Sequence, residues 1–72
     1  MCGIIGIASN KAVAPNIIQS LKKLEYRGYD SAGIATIING DIDEKKCTGR
    51  VDNLEQILFK NPSNGYFGIG HV

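Results

Sequence analysis

The sequence has 72 residues, of which 43% are hydrophobic and 21% are charged, and its formal net charge is +1. A chain of this length forms one small domain at most and buries only about 60% of the surface that its unfolded form exposes. The composition excludes general disorder, and the dispersed charges do not form the basic face that nucleic-acid binding needs. No apolar run approaches the roughly 20 residues of a membrane span.

Two cysteines without a Cys-X-X-Cys motif predict neither a disulfide scaffold nor a metal site. We therefore expect a cytoplasmic protein that needs no metal or other cofactor and binds neither nucleic acid nor membrane.

The first third of the chain predicts a strand followed by a helix. Residues 3–8, GIIGIA, form an apolar run that predicts a buried strand, whose glycines permit close backbone approach. Pro15 stands where a first helical residue would lie, and apolar residues recur at helical spacing from Ile17 to Leu24. This pattern predicts an amphipathic helix that ends near Tyr26.

A hairpin is predicted next. Residues 32–38, AGIATII, are rich in β-branched side chains and lead into Asn39-Gly40. Asn-Gly is the preferred dipeptide of a type I′ turn, because both turn positions need a positive φ. The returning strand, roughly residues 41–48, carries charges that are typical of an exposed edge.

The last third predicts a second helix and another strand. Asp52 and Glu55 have the spacing of a capping box, with Asp in place of Ser or Thr, and predict a helix with Asp52 as its N-cap. After a loop at 61–65, the segment YFGIGHV at 66–72 predicts a strand. The whole order predicts an α+β fold with a mostly antiparallel sheet and helices on one face. Because the apolar strand pattern runs to the last residue, we expect the sequence to be cut from a longer one.

Two segments are more specific than any periodicity. MCGIIGI at the start and LEYRGYDSAGIA at 24–35 resemble the glutaminase domain of the isomerising glutamine–fructose-6-phosphate aminotransferases, and the closing GIGHV resembles the beginning of that family's next motif. The resemblance covers the whole chain in order and spacing. Tyr26 and Tyr29 favour this family over the amidophosphoribosyltransferases, whereas Val72 is more like the latter.

The resemblance implies a fold and an activity. Residues 1–72 would be the N-terminal fragment of a class-II glutamine amidotransferase domain, with the sugar-isomerase domain absent. The fold would be an incomplete Ntn-hydrolase-type αββα sandwich. The substrate would be L-glutamine, whose amide nitrogen the family transfers to fructose 6-phosphate to give glucosamine 6-phosphate. Because the family's carboxylate-binding arginine, oxyanion-binding Asn-Gly pair and amine-binding aspartate all follow His71, we expect little or no activity from these 72 residues alone.

Cys2 is the candidate nucleophile. Removal of Met1 leaves a thiol and a free α-amine on one residue, and their ordinary pKa values of about 8.5 and 7.7–8.0 suit proton exchange near neutral pH. By resemblance, the Cys2 thiolate attacks the glutamine amide and forms a thioester, with its own amine as the base. From the residues alone, Cys2 also fits a small hydrophobic residue at the start of a buried strand.

Four residues of the second motif are predicted to support this nucleophile. By resemblance, the loop beside the active centre contains Arg27, Gly28, Asp30 and Ser31. From the residues alone, Arg27 fits a cation at a helix C-terminus and Gly28 fits a helix C-cap, while Asp30 and Ser31 fit a polar turn. His71 is a further candidate as a neighbour of the pocket, although a lone histidine on an apolar strand is more often structural.

Two other functions stay open at this point. One is a non-catalytic fragment that pairs its exposed strands with a full-length enzyme. The other is an unrelated small α+β protein with a reactive terminal thiol. Formation of a homo-oligomer is open as well, and Cys47, which belongs to no motif, is predicted to be an inert strand residue.

Overall fold

The computed structural model describes residues 2–25 and 30–72. Its elements in chain order are β1 (Ile4–Ala8), α1 (Ala14–Leu24), β2 (Ser31–Ile38), β3 (Asp41–Thr48), α2 (Val51–Lys60) and β4 (Phe67–His71). The four strands form one antiparallel sheet in the order β1-β4-β2-β3. This arrangement confirms the predicted α+β class, with two helices and an antiparallel sheet.

Both helices pack on the same face of the sheet. A Cβ on Gly70 of β4 would lie 3.1 Å from Leu21 Cδ1, so the missing side chain lets α1 approach the sheet backbone closely. Ile34 of β2 is the register partner of Gly70 and is also buried. The buried hydrophobic core between the two layers consists of Val13, Ala14, Ile17, Ile18, Leu21, Ala32, Ile34, Val51 and Leu54.

Within residues 2–25 and 30–72 the other side of the sheet carries no helix, and we call it the open face. Side chains alternate between the two faces of a strand, so the register assigns every second residue of each strand to it. The open face consists of Ile4, Gly6 and Ala8 in β1, Phe67, Ile69 and His71 in β4, Ser31, Gly33, Ala35 and Ile37 in β2, and Ile42, Glu44, Lys46 and Thr48 in β3.

The prediction that residues 3–8 form a buried strand is wrong. β1 is an edge strand of the sheet formed by the described part of the chain. Ile4 leaves 78% of its surface exposed, while Ile5 and Ile7 lie half-buried against the helices. The apolar run indicated a strand correctly, but it could not indicate that one face of that strand has no covering layer.

The hairpin is confirmed. Asn39 and Gly40 both have positive φ, at 52° and 81°, as a tight turn between β2 and β3 requires. β3 lies at the second edge of the sheet, as its charges predicted. The predicted end of the first helix near Tyr26, with Gly28 as its cap, lies outside the described residues, within which α1 runs to Leu24.

The second helix begins differently from the prediction. α2 starts at Val51, so Asp52 is inside the first turn and is not the N-cap. The cap is supplied by the distant Glu25, whose Oε2 accepts a hydrogen bond from Val51 N at 2.6 Å. Asp52 and Glu55 instead pair with Lys22 of α1, at 3.5 and 2.8 Å.

A polar network attaches the segment between α2 and β4 to the edge of the sheet. Lys45 Nζ donates to Ser63 Oγ and to Asp43 Oδ1, each at 2.8 Å. The hydrogen bond from Lys45 lowers the pKa of Asp43 below its ordinary value. Neither α1 nor α2 is a long enough apolar helix to cross a membrane.

Candidate active site

Cys2 is exposed and directly precedes Gly3, whose backbone is hydrogen-bonded. Gly3 N donates to Val72 O at 3.2 Å, and Val72 N donates to Gly3 O at 3.0 Å, which extends the β1–β4 pairing by one step. A Cβ on Gly3 would lie 2.8 Å from Leu24 Cδ1, so a larger residue here would require the Leu24 side chain to move. Cys2 therefore directly precedes a residue whose backbone N–H and C=O are both hydrogen-bonded to Val72.

His71 lies on the open face beside the N-terminal segment. Its register partners are Ile4 in β1 and Gly33 in β2, and its ring occupies the space that a Cβ on Gly33 would need. Cys2 lies two positions before Ile4 and precedes β1. The structure thus places His71 opposite Ile4, two residues along the chain from Cys2, while the role of His71 as a pocket neighbour stays a prediction.

Asp30 and Ser31 lie at the same end of the sheet. Ser31 is the first residue of β2 and is two positions from Gly33, which places it on the face that carries His71. Asp30 is exposed, and its carbonyl oxygen accepts a hydrogen bond from Gly49 N at 2.8 Å. The active-site roles of both side chains stay predictions.

Arg27 and Gly28 lie outside the described residues, so their predicted roles stay predictions as well. The sequence analysis overlooked Glu25, which directly precedes the intervening segment 26–29. Glu25 is buried, and besides capping Val51 it accepts a hydrogen bond from Arg50 Nη2 at 3.2 Å. One signal in the sequence could have indicated this role. An acidic residue directly follows the last apolar position of a predicted helix, and a carboxylate has no favourable interaction with the dipole of its own helix at that end.

The second thiol has a different environment from that of Cys2. Cys47 is half-buried on the helix side of β3, and burial raises its thiol pKa. A raised pKa leaves less thiolate at neutral pH and therefore lowers nucleophilic reactivity. In residues 2–25 and 30–72, no three His, Cys, Asp or Glu side chains come together in a way that could hold a metal ion.

A cavity of about 350 Å³ lies away from this site, between α1, α2 and the segment 62–64. Its apolar lining includes Ile18, Leu58 and Phe59. It contains no predicted site residue and lies on the helix side of the sheet, so we do not assign it to the candidate active site.

Comparison with known proteins gives one consistent result. The chain is 56% identical over all 72 residues to the glutamine–fructose-6-phosphate aminotransferase [isomerizing] of Brucella abortus. It is 54% identical to the enzyme of the same name from Bartonella quintana and 48% identical to that of Caulobacter vibrioides, again over 72 residues. The resemblance inferred from the two motifs is thereby confirmed.

The chain spans 12% of the length of these curated relatives. No family model matches the chain. The similarity therefore concerns a segment of each relative and includes every residue of this chain.

Proposed function

We propose that these 72 residues supply the nucleophile of a glutamine amidotransferase site. After removal of Met1, the free α-amine takes the Cys2 thiol proton and the thiolate attacks the side-chain carbonyl carbon of glutamine. The carbon–nitrogen bond then breaks, the proton returns to the leaving nitrogen, and ammonia departs from a thioester. Water attacks the thioester, the carbon–sulfur bond breaks, and glutamate and the free thiol result.

The observation that carries this proposal is the exposed Cys2 next to a hydrogen-bonded backbone. Cys2 is exposed, and the next residue, Gly3, forms two backbone hydrogen bonds with Val72. A nucleophile gains from a fixed position, because orientation removes part of the entropic cost of reaching the transition state. The 56% identity to the Brucella abortus aminotransferase supports the same assignment.

The wider reaction is part of the proposal. The names of the relatives specify glutamine as nitrogen donor and fructose 6-phosphate as acceptor, and we extend this pair to a site that includes Cys2. The family resemblance assigns the groups that hold glutamine to positions after His71. We therefore expect the 72-residue polypeptide alone to hydrolyse glutamine no faster than its Cys2→Ala variant.

Thiol alkylation tests the nucleophile separately from turnover. The polypeptide is treated with iodoacetamide near neutral pH, and the modification of each cysteine is followed by mass spectrometry, which also reports whether Met1 is absent. We expect Cys2 to react at least about tenfold faster than Cys47, because Cys2 is exposed while burial raises the pKa of Cys47. A synthetic form with an acetylated α-amine should lose most of this advantage.

The matched controls are Cys47→Ser, which should leave Cys2 alkylation unchanged, and Cys2→Ala, which should leave the slow reaction of Cys47. Retention of Met1 in the cellular product, or equal rates for the free and acetylated forms, would contradict the amine-assisted mechanism.

A second candidate function rests on the edge of β1. Residues Ile4–Ala8 carry no charged side chain and leave one side of the strand unpaired within the described sheet. Such an edge can add a strand from another protein. Under this alternative the chain binds a full-length aminotransferase through β1, and failure of the two proteins to co-purify would argue against it.

A further inference from the structure

Glu25 carries a buried carboxylate whose partners lie far along the chain. Only 8% of its surface is exposed. Its Oε2 accepts a hydrogen bond from Val51 N at 2.6 Å, and its Oε1 accepts one from Arg50 Nη2 at 3.2 Å. Burial of a charge is costly unless the charge is paired and hydrogen-bonded, and short charge-assisted hydrogen bonds are the strong ones. The carboxylate therefore holds the end of α1 against the turn formed by residues 49–51.

The same turn also holds the chain on the other side of positions 26–29. Gly49 N donates to Asp30 O at 2.8 Å, directly before β2 begins. Gly49 has a φ of 86°, a conformation that glycine adopts without strain. Glu25 and Asp30 are thus both bound to the same three consecutive residues. Asp30 is also one of the residues that the family resemblance assigns to the loop beside the active centre.

The end of α1 lies against the segment that follows the candidate nucleophile. Leu24 directly precedes Glu25, and a Cβ on Gly3 would be 2.8 Å from Leu24 Cδ1 and 3.3 Å from Leu24 Cβ. The Leu24 side chain therefore packs against Gly3, the residue next to Cys2. Gly3 is in turn bound to Val72 through two backbone hydrogen bonds. A displacement of the end of α1 would consequently change the packing beside Cys2.

We propose that Glu25 is a positioning residue for the Cys2 nucleophile. Its carboxylate holds the end of α1, where Leu24 packs beside Gly3. The turn that binds the carboxylate also binds Asp30. Without the carboxylate, the thiol occupies its reactive geometry for a smaller fraction of the time, which lowers the rate of thioester formation. This role rests on the proposed function, because it concerns the same nucleophile.

The test uses a full-length chimera, because we expect the 72 residues alone to be inactive. In the Brucella abortus aminotransferase, this chain replaces the segment that it matches, and glutamate formation is measured at a temperature at which circular dichroism shows every variant folded. Glu25→Ala should lower kcat at least about tenfold and leave KM within about twofold, because orientation of the nucleophile acts in the transition state and not in glutamine binding. Glu25→Gln keeps an oxygen that accepts the hydrogen bond from Val51 N, so its kcat should stay within about threefold of the wild-type value.

The matched control is Leu58→Ala. Leu58 lies in α2 and packs half-buried against the core, and the hydrogen bonds of Glu25 do not involve it. Its truncation should lower the thermal midpoint at least as much as Glu25→Ala does, while kcat stays unchanged. Similar losses of kcat in Leu58→Ala and Glu25→Ala would overturn the positioning role, because general destabilisation would then explain both.

Two further outcomes distinguish this role from the proposed function. If the wild-type chimera forms glutamate no faster than its Cys2→Ala variant, the proposed function fails and the positioning role fails with it. If hydrolysis depends on Cys2 but Glu25→Ala retains the wild-type kcat, only the positioning role is overturned.

Discussion

Thr36 carries a buried hydroxyl group in the middle of the sheet. Its side chain is fully buried, and its Oγ1 has no hydrogen-bond partner among the described residues. Its methyl group, in contrast, lies close to the backbone of β4. A Cβ on Gly68 would be only 2.8 Å from Thr36 Cγ2, so the methyl group fills the space that the glycine leaves. Thr36 thus contributes through its shape, while its hydroxyl remains desolvated.

We expect Thr36→Val to raise the free energy of unfolding by about 1 kcal/mol, because valine keeps the branched shape and removes an unsatisfied polar atom. Urea unfolding followed by circular dichroism measures the change. The matched control is Thr48→Val, since Thr48 is exposed at the end of β3 and the same substitution there should change stability by less than about 0.5 kcal/mol. A loss of stability in Thr36→Val would mean that the hydroxyl has a partner in solution.

At the scale of elements, Glu25 links the end of α1 to the start of α2. Its carboxylate accepts hydrogen bonds from Val51 N and Arg50 Nη2, at 2.6 and 3.2 Å. The first backbone N–H groups of a helix lack intrahelical partners, and the partial positive charge there favours an anion. The neighbouring backbone bond from Gly49 N to Asp30 O ties the start of β2 to the same place.

Glu25→Ala should therefore lower the free energy of unfolding by about 1–2 kcal/mol, the usual cost of losing a helix cap. Glu25→Gln keeps an acceptor oxygen and loses the charge, so its cost should be smaller, at about 0.3–1 kcal/mol. Chemical denaturation of the wild-type chain, Glu25→Ala and Glu25→Gln at one pH compares their free energies of unfolding. Glu44→Ala serves as the control, because the exposed pair of Glu44 with Lys46 at 3.7 Å should contribute less than about 0.5 kcal/mol. Equal costs for the three substitutions would contradict the capping role.

The contrast between the hairpin and Glu25 explains which features of the fold and site were predictable. The Asn39-Gly40 turn depends on the conformations of two adjacent residues, so the sequence was sufficient to predict it. The Glu25 cap joins residues 26 positions apart, and no local pattern specifies such a contact. The same limit applies to β1, because its exposure depends on which layers cover the sheet. The role of Cys2 was inferred through its motif and stays a prediction, whereas the pairing of Ile4 with His71 follows from the β1–β4 register and has no local signal in the sequence.

At the scale of the whole molecule, the sheet has one covered face and one open face. The helices bury the core on one side, while five large hydrophobic residues remain exposed on the other. A domain of this size has a small margin of stability, and further apolar burial contributes about 25 cal/mol for each Å² removed from water. Covering of the open face by a further layer would therefore contribute directly to the stability of the chain.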